Sequence, residues 1–137
     1  MKVLGVDHIG VAIPSRLENL LSFWFTGLGL DSSDPEVIPD QQVETIFLRV
    51  GGIAIELISS TSSDGPIAKF LEKRGPGIHH ICLQVDDIWG FLQRLKGVGC
   101  RLIDETPRRG ARDKLVAFIH PSSTGGVLIE LCQSPPQ

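Results

Sequence analysis

The chain has 137 residues, 42% of them hydrophobic, and 13 Lys and Arg against 16 Asp and Glu give a net charge of −3. That length fits one domain able to bury roughly two-thirds of its unfolded surface, and the composition excludes a disordered chain. The acidic balance argues against a nucleic-acid partner, and no apolar run is long enough to span a bilayer.

Strict alternation marks the first predicted strand, with Ile9, Val11 and Ile13 pointing one way and His8, Gly10 and Ala12 the other. Pro14-Ser15 ends it, and Ser15 is an N-cap for an amphipathic helix predicted over Leu17 to Phe25. Gly27-Leu28-Gly29 stops that helix. A short strand is expected near Val37, flanked by Pro35 and Pro39. Val43 to Val50 and Ile53 to Ser59 read as a hairpin around Gly51-Gly52. A polar linker leads to a short helix from about Ile67 to Lys73. Next come a strand over Ile78 to Val85, a helix from Asp87 to about Val98 and a strand near Arg101 to Ile103. Leu115 to His120 and Val127 to Cys132 close the chain as a second hairpin.

The pattern is βαβββ twice, an α+β arrangement. Module 1 covers about residues 1–60, the linker and short helix 61–77, and module 2 about 78–137. Neither module is large enough to stand alone, so a single domain with pseudo-twofold symmetry is expected. Cys82, Cys100 and Cys132 are odd in number and lack CxxC spacing. That argues against a disulfide framework or a thiolate zinc site, and for a reducing compartment. The N-terminus lacks a signal peptide's layout, so a cytoplasmic location is expected.

The repeat extends to individual residues. Asp7-His8-Ile9 returns as His79-His80-Ile81, and Gly51-Gly52-Ile53-Ala54-Ile55-Glu56-Leu57 as Gly125-Gly126-Val127-Leu128-Ile129-Glu130-Leu131. In each half the apolar strand residues form one face: Ile9, Val11, Ile13, Ile53, Ile55 and Leu57, then Ile81, Leu83, Val85, Val127, Ile129 and Leu131. Period-2 geometry puts His8, Glu56, His80 and Glu130 on the opposite face. A carboxylate flanked by Ile and Leu is costly unless paired or metal-bound, and here the arrangement occurs twice. His79 matches Asp7 and is read as structural, facing away from this site. Cys82 and Cys132 are read as small apolar neighbours of the site. Two imidazoles and two carboxylates suit a divalent ion of intermediate hardness such as cobalt, manganese or nickel, with magnesium or zinc as alternatives. Four protein ligands in an octahedral shell leave two positions for substrate.

These residues sit in stretches that resemble the methylmalonyl-CoA epimerase family of the vicinal oxygen chelate (glyoxalase) superfamily. The stretches are Asp7 to Ala12, Pro66 to Leu71, Gly77 to Ile81, Val85 to Ile88, Leu102 to Glu105, His120-Pro121 and Ser123 to Leu131. The resemblance implies paired βαβββ modules in an eight-stranded cupped mixed sheet around one divalent metal, with cobalt often the best. It also implies interconversion of the R and S forms of methylmalonyl-CoA through a metal-stabilised enolate, commonly by a homodimer. It carries the ligand roles onto His8, Glu56, His80 and Glu130. Glu130 is then the expected base at C2 and Glu56 its counterpart on the other face.

The chain departs from the family at Ser122, where similar sequences have Lys, and at Arg112-Asp113, where they have Gly-Gly. Thr45 stands where some epimerases have an acid. Arg108, Arg109, Arg112 and Lys114, with Lys73 and Arg74 as a second set, read equally as a cradle for the acyl-CoA phosphates or as solvated loops. Rival readings are a glyoxalase I-like lactoylglutathione lyase, a non-enzymatic binding module and a ring-cleaving dioxygenase. The full ligand set counts against the binding module.

Overall fold

The structure is a computed structural model that describes residues 1–14 and 21–136. Eight strands are present: β1 (Val3–Ala12), β2 (Glu36–Ile38), β3 (Val43–Val50), β4 (Ile53–Ser60), β5 (Gly77–Val85), β6 (Arg108–Arg109), β7 (Leu115–Ile119) and β8 (Ile129–Gln133). They form a mixed sheet in the order β2-β3-β4-β1-β5-β8-β7-β6. Among the described residues two α-helices accompany them, α1 (Pro66–Arg74) and α2 (Ile88–Gly97). The expected α+β class and eight strands are therefore present. By proximity the chain divides into two compact units, Met1–His8 with His80–Gln137, and Ile9–His79.

In the Ile9–His79 unit, β2, β3 and β4 run antiparallel, with Val50 opposite Ile53 across the hairpin. Gly51 makes that turn at φ +61°, a conformation that favours glycine. The core is Ile13, Leu48 and Leu57, packed by Val11, Ile55, Leu21, Trp24, Phe25 and Leu30. Of the apolar face assigned from alternation, Ile13 and Leu57 are buried and Val11 and Ile55 half-buried, while on β1 the opposite residues His8 and Ala12 are the more buried. Ser15 to Leu20, including the expected N-cap and the start of the first helix, lie outside the described residues. Beyond them, Ser22–Gly27 is a π-helical turn rather than a plain α-helix. Helix α1 begins with Pro66 at its first position, where a missing N–H costs nothing. It ends at Gly75, φ +75°, with Lys73 and Arg74 complementing the dipole of the last turn.

In the other unit, β5 and β8 are parallel, with Cys82 opposite Glu130, and β8 pairs antiparallel with β7, with Phe118 opposite Glu130. Helix α2 is capped by Asp87, whose side chain accepts from the Gly90 amide. Its Ile88 and Leu92, four residues apart on one face, pack with Val85, Ala117, Ile119 and Leu131. The strand expected over Arg101 to Ile103 shrinks to a single bridge between Leu102 and Ile119. The reason is local. The Asp104 carboxylate accepts the Phe118 amide, so a side chain replaces the ladder bond, and the edge strand forms later at Arg108–Arg109. The last strand also starts two residues late, leaving Val127 42% exposed rather than in the core. Among the described residues, no helix is long and apolar enough to cross a membrane.

Candidate functional site

Within the unit that contains them, β1 supplies His8, β5 supplies His80 and β8 supplies Glu130, all three buried. His8 Nε2 and His80 Nε2 are 3.1 Å apart, and each is 3.1 Å from Glu130 Oε1. The three atoms thus form an equilateral triangle. Cis ligands about 2.1 Å from an octahedral ion would be separated by about 3.0 Å. Glu130 Oε1 is buried and makes no hydrogen bond, although two imidazole nitrogens stand beside it. An orphaned buried carboxylate oxygen is expensive. A cation bound to all three atoms would satisfy it, so the donor set fits a divalent metal.

Electrostatics agree with that fit. Burial alone would raise the Glu130 pKa, but the imidazoles of His8 and His80 beside it outweigh burial and hold the carboxyl below its ordinary range. Glu130 therefore stays an anion. The rings of His8 and His80 meet edge to face, with centroids 5.2 Å apart, and the Phe118 ring abuts His80 in the same way. Cys82, Cys132 and Val116 form a small apolar cluster beside the site, as expected for the two cysteines. Burial and the hydrogen bond to Cys132 push the Cys82 thiol up, the hydrogen bond being the larger cause, so it remains neutral. His79, expected to be structural, lies with its ring edge to face against Phe70, 4.9 Å between centroids.

Glu56 belongs to the other unit and is buried there at 7% exposure. Thr45 Oγ1 donates to its Oε2 at 2.7 Å. The register explains why. Phe47 lies opposite Glu56 and Thr45 opposite Ile58, which makes Thr45 a diagonal neighbour on the same face. Thr45, noted only as a departure from an acidic position, thus orients a predicted ligand.

One residue the sequence reasoning missed is Asp7. Its Oδ2 lies 2.6 Å from His8 Nδ1, and its Oδ1 accepts from Lys114 Nζ at 2.6 Å. Arg112 also pairs with it. Burial would raise the Asp7 pKa, but the hydrogen bonds from His8, Lys114 and Arg112 hold the carboxyl far below the usual carboxylate range. A carboxylate that binds protons less readily folded than unfolded stabilises the fold above its unfolded pKa, about 3.8, and loses that contribution progressively below it, as pH falls to the lower folded pKa. Asp7→Asn, which cannot titrate, should flatten the acid limb of a stability-against-pH curve below about pH 4. Urea midpoints measured from pH 7 down to about pH 1.5 check this; an unchanged acid limb would count against it.

Each cation of the basic loop has a carboxylate partner, with Asp7 shared by two of them. Arg108 pairs with Asp104 at 3.2 Å, Arg109 with Asp113, and Arg112 and Lys114 with Asp7. These pairs occupy the charges a phosphate cradle would use, and Lys114 is buried rather than solvated. In the second set, Arg74 lies over the Phe70 ring.

Known proteins point the same way. Residues 7–118 match the family described as the Glyoxalase/Bleomycin resistance protein/Dioxygenase superfamily. The ethylmalonyl-CoA/methylmalonyl-CoA epimerase of Cereibacter sphaeroides is 38% identical over 130 residues, covering 93% of this chain and 96% of the relative. The crystal structure of methylmalonyl-CoA epimerase from Mycobacterium tuberculosis aligns with a TM-score of 0.91 at 38% identity, over 98% of this chain and 90% of the other. A variant methylmalonyl-CoA epimerase of Streptomyces coelicolor, in complex with 2-nitronate-propionyl-CoA, aligns with a TM-score of 0.91 at 29% identity, over 98% and 100% of the two chains.

Proposed function

We propose a catalytic role from one premise: this chain belongs to the Glyoxalase/Bleomycin resistance protein/Dioxygenase superfamily. Within it the chain is an epimerase that interconverts the R and S forms of methylmalonyl-CoA. The relatives named for that activity support the substrate. The observation that carries the chemistry is the 3.1 Å triangle of His8, His80 and Glu130 with its orphaned carboxylate oxygen.

In this reading His8, His80 and Glu130 hold a divalent metal, and Glu56 joins them. Support for Glu56 comes from its place in the repeat, its phase in β4, and its burial on a hydrogen bond from Thr45. The resemblance puts cobalt first, with manganese, nickel, magnesium or zinc as alternatives. When bound, the metal supplies Lewis-acid stabilisation of the negative charge that develops on the thioester oxygen as the C2 proton leaves.

The chain's own carboxylates move the protons. Inversion needs a base on one face of C2 and an acid on the other. Glu130 takes the proton from one epimer while Glu56, protonated and loosened from the cation, delivers one to the opposite face; the other epimer reverses the roles. Each turnover leaves the proton on the wrong carboxylate for the next, so exchange with solvent must intervene. Deuterium from solvent therefore enters C2. Phe118, Cys82 and Cys132 line the surroundings with apolar surface, which strengthens these charge interactions by excluding water.

The test is to incubate the purified protein with methylmalonyl-CoA in D2O and follow C2 by proton NMR. Loss of the C2 proton together with epimer interconversion is the expected result. Turnover of a glutathione–methylglyoxal adduct, with methylmalonyl-CoA untouched, would transfer the assignment to the lyase reading. A homodimer in the cytoplasm completes the proposal. The dimer rests on the resemblance and the location on cysteine usage; sedimentation velocity tests the first.

A further inference from the structure

We infer that Asp7 is a positioning residue for the metal centre: it fixes His8 as the tautomer protonated on Nδ1, so that Nε2 carries the lone pair a cation requires. The inference rests on the proposal above that His8 is a metal ligand.

Geometry carries it. Asp7 Oδ2 stands 2.6 Å from His8 Nδ1, while His8 Nε2, on the other side of the ring, stands 3.1 Å from both His80 Nε2 and Glu130 Oε1. An ionised carboxylate only accepts hydrogen bonds. Opposite Asp7, His8 Nδ1 must therefore be the donor, and the lone pair of a neutral ring then lies on Nε2. A carboxylate behind a ligating imidazole both orients the ring and raises its basicity.

The chain also holds Asp7 in place. Lys114 Nζ lies 2.6 Å from its other oxygen, with the Lys114 and Asp7 side chains 11% and 8% exposed. Arg112 reaches it from a loop in which Arg112 and Asp113 adopt φ +57° and +59°. Two successive non-glycine residues in the left-handed region are costly and persist only where surrounding contacts over-determine them. Here the contact with a buried partner is Arg112–Asp7, the Asp113–Arg109 pair beside it being exposed. The strained turn delivers a cation to the carboxylate that orients His8.

The test measures metal affinity and ring protonation rather than turnover. Co2+ binding is titrated for the wild type, His8→Ala, Asp7→Ala and Asp7→Asn. Asp7→Ala should bind Co2+ about 10–100-fold more weakly. Asp7→Asn should recover much of that loss, because its amide oxygen can still accept from Nδ1–H. A merely structural role for Asp7 would not give this rescue. Independently of whether the variants fold, long-range 1H–15N spectra of the Zn2+-loaded wild type should show His8 protonated on Nδ1 and metal-bound through Nε2. Binding through Nδ1, or wild-type Co2+ affinity in Asp7→Ala, overturns the inference while leaving the metal centre intact. If the wild type binds no Co2+, or His8→Ala binds it as the wild type does, both the inference and the metal reading fall.

Discussion

Glu130→Gln should slow exchange of the C2 proton of methylmalonyl-CoA by roughly 10²–10⁴-fold, the usual contribution of a positioned base. Glutamine keeps the size of the side chain and one carbonyl oxygen for a cation, but it cannot take a proton. In the native protein Glu130 is buried, and His8 and His80 keep it ionised against the cost of burial. The variant loses that anion, so metal affinity should weaken without vanishing, because both imidazoles remain. The combination matters. Lost exchange with surviving metal binding assigns Glu130 to chemistry as well as to ligation, whereas full exchange in Glu130→Gln would sink the assignment.

The second large effect is thermodynamic. A divalent cation present at about 100 times its Kd should stabilise the folded protein by about 2.7 kcal/mol, because it binds the assembled ligands and not the unfolded chain. For a chain of this size that corresponds to a rise in Tm of roughly 8–10 °C. A chelator should reverse the shift and His80→Ala should abolish it. The effect originates in the triangle: three donor atoms 3.1 Å apart, one of them an orphaned anion oxygen, are poorly satisfied by one another. Thermal scans with and without Co2+ measure it. An equal shift in His80→Ala would place the ion elsewhere.

Strand alternation and the repeat were enough to bring His8, His80 and Glu130 to one face, since a two-residue period leaves little freedom once the apolar phase is known. The same logic placed Cys82 and Cys132 beside the site, but on β1 and β5 the face it left to the site is the more buried one, carrying His8, Ala12, His80 and Cys82. It failed where side chains compete with the backbone ladder. Asp104 takes the Phe118 amide, and the strand expected around Leu102 becomes a single bridge. It failed again at Asp7, which alternation assigns to the face opposite His8. The contact is made through Nδ1, on the side of the ring away from Nε2, and a side-chain phase carries no record of it. An acidic residue next to a candidate ligand histidine was the available signal. The loop cations were legible as charges but not as pairs, because Arg112 and Lys114 meet Asp7 across more than 100 residues of chain.

The central question is whether a metal held by His8, His80 and Glu130 is required to labilise the C2 proton. Purified protein should be stripped with a chelator, dialysed, and assayed for deuterium incorporation into methylmalonyl-CoA before and after addition of one equivalent of Co2+. Exchange that disappears on stripping and returns with the ion, in the wild type but not in His80→Ala, is the predicted result. Exchange that continues undiminished in the stripped protein would contradict it.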